Sequence, residues 1–231
     1  MRMYKYNLWN NLLADTALRR LEAGSREERT EMIETVLQRF TPYGLKTWEG
    51  LVNYRAEYKN GTQGLLNPED MDALFNAAIP VPPGGIIVEI GSFKGTSTVH
   101  LGAAAKLVGA RVYAIDPFRQ NKGGEDLRYP RYFEEFMATI QKCGVEDVVT
   151  PIADYSQRVS HLFKDGSIDL LFIDGDHSAE GVKRDYDLYA PKVKPGGTIL
   201  FHDATYGPVA TFLKTLAAEP VTELIAKVRK P

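Results

Sequence analysis

The stretch that decides the fold is Ile168-Asp-Leu-Leu-Phe-Ile-Asp-Gly-Asp-His177, followed by Pro195-Gly-Gly-Thr-Ile-Leu-Phe-His-Asp203. Each half is an apolar run of strand length that stops at carboxylate and imidazole side chains. Residues 178–190 between them have the pattern of a crossover helix. Two parallel neighbouring strands end at the same edge of a sheet, which is the edge where α/β proteins bind ligands. We therefore expect the following side chains to lie together there: Asp174, Asp176, His177, His202 and Asp203.

After residue 85, short apolar runs of strand length alternate with segments of helical spacing over most of the chain. Strict alternation predicts an α/β fold with a doubly wound, mainly parallel sheet and right-handed crossovers. Strands are expected at residues 86–90, 112–115, 148–153, 168–173 and 198–201, and helices at 97–108, 132–142, 156–163, 179–190 and 209–217. After residue 218 the chain offers one further strand, so we expect a six-stranded sheet or an edge completed by a partner subunit.

The first third of the chain has a different character. Helical spacing at residues 7–21, 25–40 and 48–58 predicts a helical N-terminal extension over residues 1–62, and residues 63–231 form the core domain. The extension is expected to cover the acceptor pocket, to form a homodimer interface, or to do both. Residues 118–131 are polar and glycine-rich, which fits either a mobile lid or a solvated insertion.

Composition limits the function classes. The chain has 231 residues, of which 44% are hydrophobic and 25% charged, as in an ordinary globular protein. A net charge of −2 gives no general attraction to nucleic acid or anionic lipid. No apolar run reaches the ~18 residues of a membrane span, and the N-terminus lacks signal-peptide character. The single Cys143 cannot form an internal disulfide, which fits a reducing cytoplasm. We therefore expect a cytoplasmic protein, and the charge and hydropathy predict no nucleic-acid or membrane partner.

A glycine-rich turn follows the first strand of the core. Val88-Glu-Ile-Gly-Ser-Phe-Lys-Gly-Thr-Ser97 has the spacing G-x-x-x-G and lacks the middle glycine of a dinucleotide fingerprint. Gly91 would allow a ligand to approach the backbone, and Gly95 would let the helix start close to the strand. Asp116 ends the second strand, where a carboxylate accepts hydrogen bonds from ribose hydroxyls. Each acid taken singly is equally well explained as a helix cap or turn residue.

Taken together, Glu89-Ile-Gly-Ser-Phe-Lys-Gly-Thr-Ser97, Asp116, Ile173-Asp-Gly-Asp-His177 and Lys194-Pro-Gly-Gly197 resemble class I S-adenosylmethionine-dependent methyltransferases. Residues 172–203 are similar to the branch that contains macrocin-type sugar O-methyltransferases and cephalosporin-hydroxylase-like proteins, which is related to the catechol O-methyltransferases. The resemblance covers about residues 64–216. It implies a Rossmann-like methyltransferase fold, S-adenosylmethionine as cofactor and a hydroxylated small molecule, such as a sugar or secondary metabolite, as acceptor.

The resemblance also implies roles for the cofactor residues. Glu89 would hold the amino group of the cofactor, and Asp116 would bind its ribose. Asp154 and Tyr155 would border the adenine. The residues expected to cradle the methionine end are Gly91, Ser92, Gly95 and Ser97.

The acids after the last two parallel strands indicate a metal site. Asp174 and Asp203 are the expected ligands, and their hard oxygens favour Mg²⁺. His177 stands where the catechol enzymes carry a basic lysine, which implies a catalytic base; the structural alternative is a helix-start residue. His202 occupies a position that is acidic in the sugar-methylating relatives. It is either a third ligand, which would favour softer ions, or a side chain that points into the core.

Several alternatives stay open. Ala204 replaces the asparagine of the catechol enzymes, so the protein could be a metal-independent methyltransferase or a cofactor-binding protein without turnover. The missing glycine disfavours an NAD-dependent dehydrogenase. Asp176 is expected to cap the following helix, and Lys183, Arg184 and Asp185 are expected on a solvated helix face.

Overall fold

The computed structural model describes residues 66–118 and 131–231. The chain divides into two compact units: one comprises Met1–Gln63 with Lys142–Gly144, and the other comprises Gly64–Gln141 with Val145–Pro231. The second unit contains the sheet and the strand ends at which the sequence predicts a site. The helices predicted within residues 1–62 and most of the segment 118–131 lie outside the described residues.

The second unit is a seven-stranded sheet with the strand order β3-β2-β1-β4-β5-β7-β6. The strands are β1 (Ile86–Ile90), β2 (Arg111–Ile115), β3 (Val149–Ile152), β4 (Ile168–Ile173), β5 (Val193–Phe201), β6 (Glu219–Pro220) and β7 (Ala226–Arg229). The first five strands are parallel, and β7 pairs antiparallel with both β5 and β6. This confirms the predicted α/β fold with a mainly parallel sheet.

The helices follow the predicted alternation. They are α1 (Pro68–Ala78), α2 (Thr96–Val108), α3 (Arg131–Lys142), α4 (Ser156–Val159), α5 (Ala179–Tyr189) and α6 (Gly207–Thr215), with short 3₁₀ turns at Ser160–Leu162 and Ala190–Lys192. Helix α1 begins at a capping box, because Asn67 accepts from the N–H of Asp70 while the Asp70 carboxylate accepts from the N–H of Asn67. None of these described helices combines the length and the apolar character that crossing a membrane requires.

The C-terminal edge differs from the prediction. The expected six-stranded sheet is wrong, because Glu219–Pro220 forms a two-residue strand that pairs with β7. Strand β5 also starts at Val193, five residues before its predicted start, with an irregular register beside β4 at Ile168. The Pro195-Gly-Gly197 segment indicates a loop by its composition, yet it runs within this strand.

The core explains why the strand ends are fixed relative to one another. The fully buried residues Val88, Leu171 and Ile199 belong to one apolar cluster that spans the central strands. In this register Ile90 pairs with Ile115 and Ile173, and Ile173 pairs with Phe201. The next residue of each strand is therefore delivered to one edge, as expected for parallel strands.

Candidate active site

Four of the five side chains predicted to converge after β4 and β5 contact one another, whereas Asp176 pairs with Arg184. His177 Nε2 lies 3.4 Å from Asp174 Oδ1, and His177 Nδ1 lies 3.2 Å from Asp203 Oδ2. One potential ligand atom from each of these three residues lies within 4.8 Å of the others. Together with His202, these residues form what we call the acid–imidazole cluster. Asp203 has a φ of +52°, a left-handed conformation that is uncommon for a residue with a side chain.

His202 lies on the buried side of this cluster. Its side chain is 6% exposed, and its Nδ1 lies 3.1 Å from Asp174 Oδ1 and 3.5 Å from Asp203 Oδ1. Its Nε2 is buried without a hydrogen-bond partner among the described residues and lies 3.9 Å from Oδ2 of Asp70. Asp70 in turn accepts a hydrogen bond from Thr222. His202 therefore contacts both aspartates from the buried side of the cluster. Its role as a metal ligand stays a prediction.

The two imidazoles respond to the same carboxylates. A hydrogen bond with Asp174 raises the pKa of His177, against the opposing effect of partial burial, and the charges of Asp174 and Asp203 add to the rise. Burial by itself would lower the pKa of His202, but the hydrogen bond and charge of Asp174, with the charges of Asp203 and Asp70, outweigh it and the net change is upward. Both shifts favour protonated imidazoles beside the two acids.

The glycine turn, which we define as residues 91–95, is shaped by the protein's own backbone. Gly91 has a φ of +90°, and a Cβ added there would lie 2.0 Å from the carbonyl oxygen of Asp174. Gly95 has a φ of +88°, and its Cβ would lie 3.1 Å from the Phe136 ring on α3. The sequence analysis explained the glycine at residue 91 by the close approach of a ligand. In the structure, the end of β4 already leaves no room for a side chain there.

Glu89 is fully buried beneath this turn. Its Oε2 accepts hydrogen bonds from the hydroxyls of Ser92, at 2.8 Å, and Thr98. Burial raises the pKa of Glu89 to about 7, although hydrogen bonds from Ser97, Thr98 and Ser92 favour the ionised form. The other oxygen, Oε1, is buried without a hydrogen-bond partner among the described residues. Such an atom is suited to a donor supplied by a ligand.

Asp116 connects the glycine turn to the end of β2. Its Oδ2 accepts from the N–H of Phe93 at 2.9 Å, and its Oδ1 accepts from the N–H of Phe118. Phe93 and Phe118 both have positive φ values, of 45° and 50°. Burial raises the pKa of Asp116, while these backbone hydrogen bonds act in the opposite direction. The carboxylate is held in one orientation at the place predicted for ribose binding.

A cavity of about 910 Å³ is lined by residues of the glycine turn and of the acid–imidazole cluster, whereas Glu89 and Gly95 are not among its lining residues. Its walls include Gly91, Ser92, Ser97 and Asp116, and the four residues of the acid–imidazole cluster, Asp174, His177, His202 and Asp203. Tyr155 also lines it, whereas Asp154 is not among the lining residues and instead accepts from the N–H of Tyr155 at 2.7 Å. The predicted role of Asp154 beside adenine stays a prediction.

The lining residues that the sequence interpretation did not assign to the site include Ser156, Gln157 and Asp185. The prediction of a solvated face for Asp185 is wrong, because its side chain is 1% exposed. The signal was present in the helical spacing, since the buried residues Val182 and Tyr189 lie three positions before and four positions after it on α5. Asp176 accepts from the N–H of Ser178 at 3.0 Å, while Ser178 itself caps α5.

Comparison with known sequences identifies one family and one partial relative. A protein-family model described as "Methyltransferase domain" matches residues 88–204. An uncharacterized protein of Acanthamoeba polyphaga mimivirus is 29% identical over 121 residues, which is 50% of this chain and 50% of that protein. The chain thus spans about half the length of this curated relative.

Solved structures give the same fold. The O-methyltransferase NovP has a TM-score of 0.60 at 15% identity, covering 77% of this chain and 88% of that chain. A SAM-dependent O-methyltransferase from Thermotoga maritima has a TM-score of 0.55 at 17% identity, covering 76% of this chain and 70% of that chain. These likenesses confirm the predicted Rossmann-like methyltransferase fold.

Proposed function

The chain belongs to the methyltransferase family whose model covers residues 88–204, and on that premise we propose that it transfers the methyl group of S-adenosylmethionine to a hydroxyl group of a small molecule. The observation that carries the proposal is the convergence of Asp174, His177 and Asp203 on a cavity that residues of the glycine turn also line. A donor site and an acid–base site thus face the same space, as a group transfer between two bound molecules requires.

The residues around the glycine turn fit the cofactor. The cavity volume lies in the range of small-molecule sites and has room for the cofactor and an acceptor. Glu89 Oε1 is a buried acceptor suited to an ammonium group. The methionine end would lie on Gly91, Ser92, Gly95 and Ser97, the ribose on Asp116 and the adenine near Tyr155. S-adenosylmethionine supplies an electrophilic methyl group on a positively charged sulfur.

The donor set of the acid–imidazole cluster fits a divalent cation. Asp174 and Asp203 offer carboxylate oxygens, which Mg²⁺ prefers. A cation held there would lower the pKa of the acceptor hydroxyl and orient it. His202 would keep the two carboxylates in place through its contacts at 3.1 and 3.5 Å.

His177 is the proposed base. Its side chain is 44% exposed, faces the cavity and contacts both aspartates, which fix the orientation of the ring. With one ring nitrogen held by a carboxylate and the acceptor hydroxyl in place of the other carboxylate, the neutral imidazole would accept the hydroxyl proton while the oxygen attacks the methyl carbon and the carbon–sulfur bond breaks. The resulting imidazolium would lie beside two negative charges, which stabilise it.

A metal-independent form of the same reaction is the second candidate. It is favoured by the position of His177 between two carboxylates, because this arrangement supplies a base and its orienting acids without any ion. Chelation separates the two candidates. Only the metal-assisted enzyme loses turnover with EDTA and recovers it with Mg²⁺.

The test is a methylation assay with the purified protein, S-adenosylmethionine and a panel of sugars, catechols and other hydroxylated molecules. We expect S-adenosylhomocysteine and a methylated product in equal amounts with at least one acceptor class. Calorimetry with S-adenosylhomocysteine alone provides a check that does not need the acceptor. Absence of cofactor binding would contradict the proposal, and binding with no turnover across the panel would favour a protein that binds the cofactor without transferring its methyl group.

A further inference from the structure

Asp70 is a fully buried acid to which the proposed reaction assigns no role. It lies in the first turn of α1. Its Oδ1 accepts a hydrogen bond from the hydroxyl of Thr222, in the turn between β6 and β7, and its Oδ2 accepts a long one of 3.4 Å from the N–H of Asn67. Removing a carboxylate from water is costly unless its oxygens are paired, so Oδ2 has capacity for a second donor.

The imidazole of His202 is the neighbour that can supply this donor. Its Nε2 lies 3.9 Å from Oδ2 of Asp70 and is buried without a hydrogen-bond partner among residues 66–118 and 131–231. The other ring nitrogen, Nδ1, lies 3.1 Å from Oδ1 of Asp174. The ring of His202 therefore stands between a carboxylate of α1 and a carboxylate of the acid–imidazole cluster.

Asp70 can set the orientation of this ring. A half turn of the imidazole about its Cβ–Cγ bond would put ring carbons where the two nitrogens now face carboxylates, and a carbon cannot replace a ring N–H as donor. The aromatic neighbour Phe172, with its ring centroid 6.4 Å away, is apolar and does not distinguish the two orientations. Asp70 and Asp174 favour the same one, from opposite sides of the ring.

The chain around Asp70 is bonded to the cluster as well. Thr222, which donates to Asp70, also accepts from the N–H of Leu224. The carbonyl of Leu224 in turn accepts from the N–H of Ala204 at 2.9 Å, directly after Asp203. The turn between β6 and β7 thus fixes the Asp70 carboxylate relative to the end of β5.

We infer that Asp70 is a positioning residue of the acid–imidazole cluster. By attracting the Nε2 edge of His202, it keeps Nδ1 turned toward Asp174 and Asp203 and so raises the affinity of the cluster for a divalent cation. This inference rests on the metal-assisted form of the proposed function, and it gives a role to a helix that precedes the family-matched residues 88–204. Carboxylates that orient an imidazole of a metal site contribute about 10- to 100-fold to metal affinity.

The test measures Mg²⁺ binding by calorimetry on the full chain, which needs neither cofactor nor acceptor. Asp70→Ala should weaken Mg²⁺ binding about tenfold, the lower end of the range for such residues, and leave the affinity for S-adenosylhomocysteine unchanged. Glu69→Ala is the matched control, because Glu69 is the preceding acid on the same helix and is exposed. It should bind Mg²⁺ as the wild-type protein does.

A double-mutant cycle with His202→Asn separates positioning from a direct effect of the Asp70 charge. If Asp70 acts through His202, Asp70→Ala causes no further loss of Mg²⁺ affinity in the His202→Asn protein. A through-space effect of the charge, or a general loss of structure, would persist in that background. Thr222→Val removes the hydroxyl that holds Asp70 and should weaken Mg²⁺ binding by a smaller factor; it replaces Asp70→Ala in the cycle if that variant does not fold.

Wild-type Mg²⁺ affinity in both Asp70→Ala and Thr222→Val, or equal losses from Asp70→Ala with and without His202, would overturn the role of Asp70 and leave the proposed methyl transfer standing. A wild-type protein that binds no Mg²⁺ would overturn this inference and the metal-assisted reaction, and turnover in EDTA would then support the metal-independent form. The predicted losses of Mg²⁺ affinity in a protein that does not bind S-adenosylhomocysteine would refute the methyl transfer alone.

Discussion

The glycine turn and the acid–imidazole cluster face the same cavity, but different interactions hold them in place. The turn depends on backbone conformation, because Gly91 abuts the carbonyl of Asp174 and Phe93 donates its N–H to Asp116. The cluster depends on side-chain charge, with two carboxylates held by His177 and His202. Substitutions in the glycine turn should therefore lower the stability of the fold, whereas substitutions in the acid–imidazole cluster should lower catalytic activity first. Substitutions in each region test this division.

Asp174→Ala should have the largest effect on turnover. The change removes a contact of both imidazoles and a proposed metal ligand, so we expect a loss of about 10³-fold in kcat, of the size seen when a main electrostatic group is removed. Affinity for S-adenosylhomocysteine should change by only a few-fold. Calorimetry and a steady-state assay give the two values, and Asp187→Ala should match the wild-type protein in both. Unchanged turnover in Asp174→Ala would refute its assigned role, and an unfolded variant would break the division between the regions.

Gly91→Ala should show the reverse pattern. Its Cβ would meet the Asp174 carbonyl at 2.0 Å in addition to the strain of a positive φ. We expect a loss of more than about 3 kcal/mol in the free energy of unfolding, from overpacking and strain together. Gly84→Ala is the control, because Gly84 has a φ of +75° with no atom within 4 Å of its Cβ. It should lose about 1–2 kcal/mol from strain alone. Equal losses in the two variants, measured by denaturant unfolding, would show that the Asp174 contact is unimportant.

His177→Ala should lower kcat about 10²-fold, the lower end for loss of a general base, without lowering stability. The reaction needs neutral imidazole, so activity rises with pH as the proton leaves. Because Asp174 raises the pKa of His177, the acidic limb of the kcat/KM profile should lie above the ordinary value of 6.5 when no metal is added. Asp203→Asn should move that limb downward. An acidic limb that is identical in wild-type and Asp203→Asn proteins would argue against His177 as the titrating base.

The raised pKa of Glu89, beneath the glycine turn, predicts a pH dependence of cofactor binding. With its pKa at about 7, the carboxyl is mostly neutral at pH 6 in the empty protein and must lose its proton to pair with an ammonium group. Affinity for S-adenosylhomocysteine should therefore rise about tenfold between pH 6 and 8, with proton release on binding. The same raised pKa means that stability of the empty fold falls as pH rises from 4.5 to about 7. Glu89→Gln should bind more weakly and almost independently of pH; a tenfold rise that persists in this variant would assign the titration to another group.

The parts of the fold with strong local signals were predictable. Strands Ile86–Ile90 and Ile168–Ile173 are apolar runs bounded by glycine and acids, and both were predicted to the residue. The convergence of Asp174, His177 and Asp203 followed from parallel strand order alone. The two-residue strand Glu219–Pro220 was not predictable, because no periodic pattern exists in two residues. Its position depends on pairing with Ala226–Arg229.

Within the site, the errors concern tertiary contacts. The position of His202 depends on Asp70 of α1, and the need for glycine at residue 91 depends on the end of β4. Neither neighbour can be read from the local sequence. Asp185 is different, because its helical spacing placed it on the buried face of α5 and its charge led to the wrong interpretation. A charged residue in register with Val182 and Tyr189 indicates an interior polar group.

The two outermost strands of the sheet limit how this protein can assemble. The carbonyls of Val148 and Ile152 accept hydrogen bonds from β2, so the backbone of Pro151, which alternates with them, faces away from the sheet. The proline nitrogen carries no hydrogen and cannot donate to an incoming strand. Strand β6 is only two residues long, and one of them is Pro220. Polymerisation by β-strand addition is therefore disfavoured at both borders, which protects the concentrated protein against fibril-like aggregation.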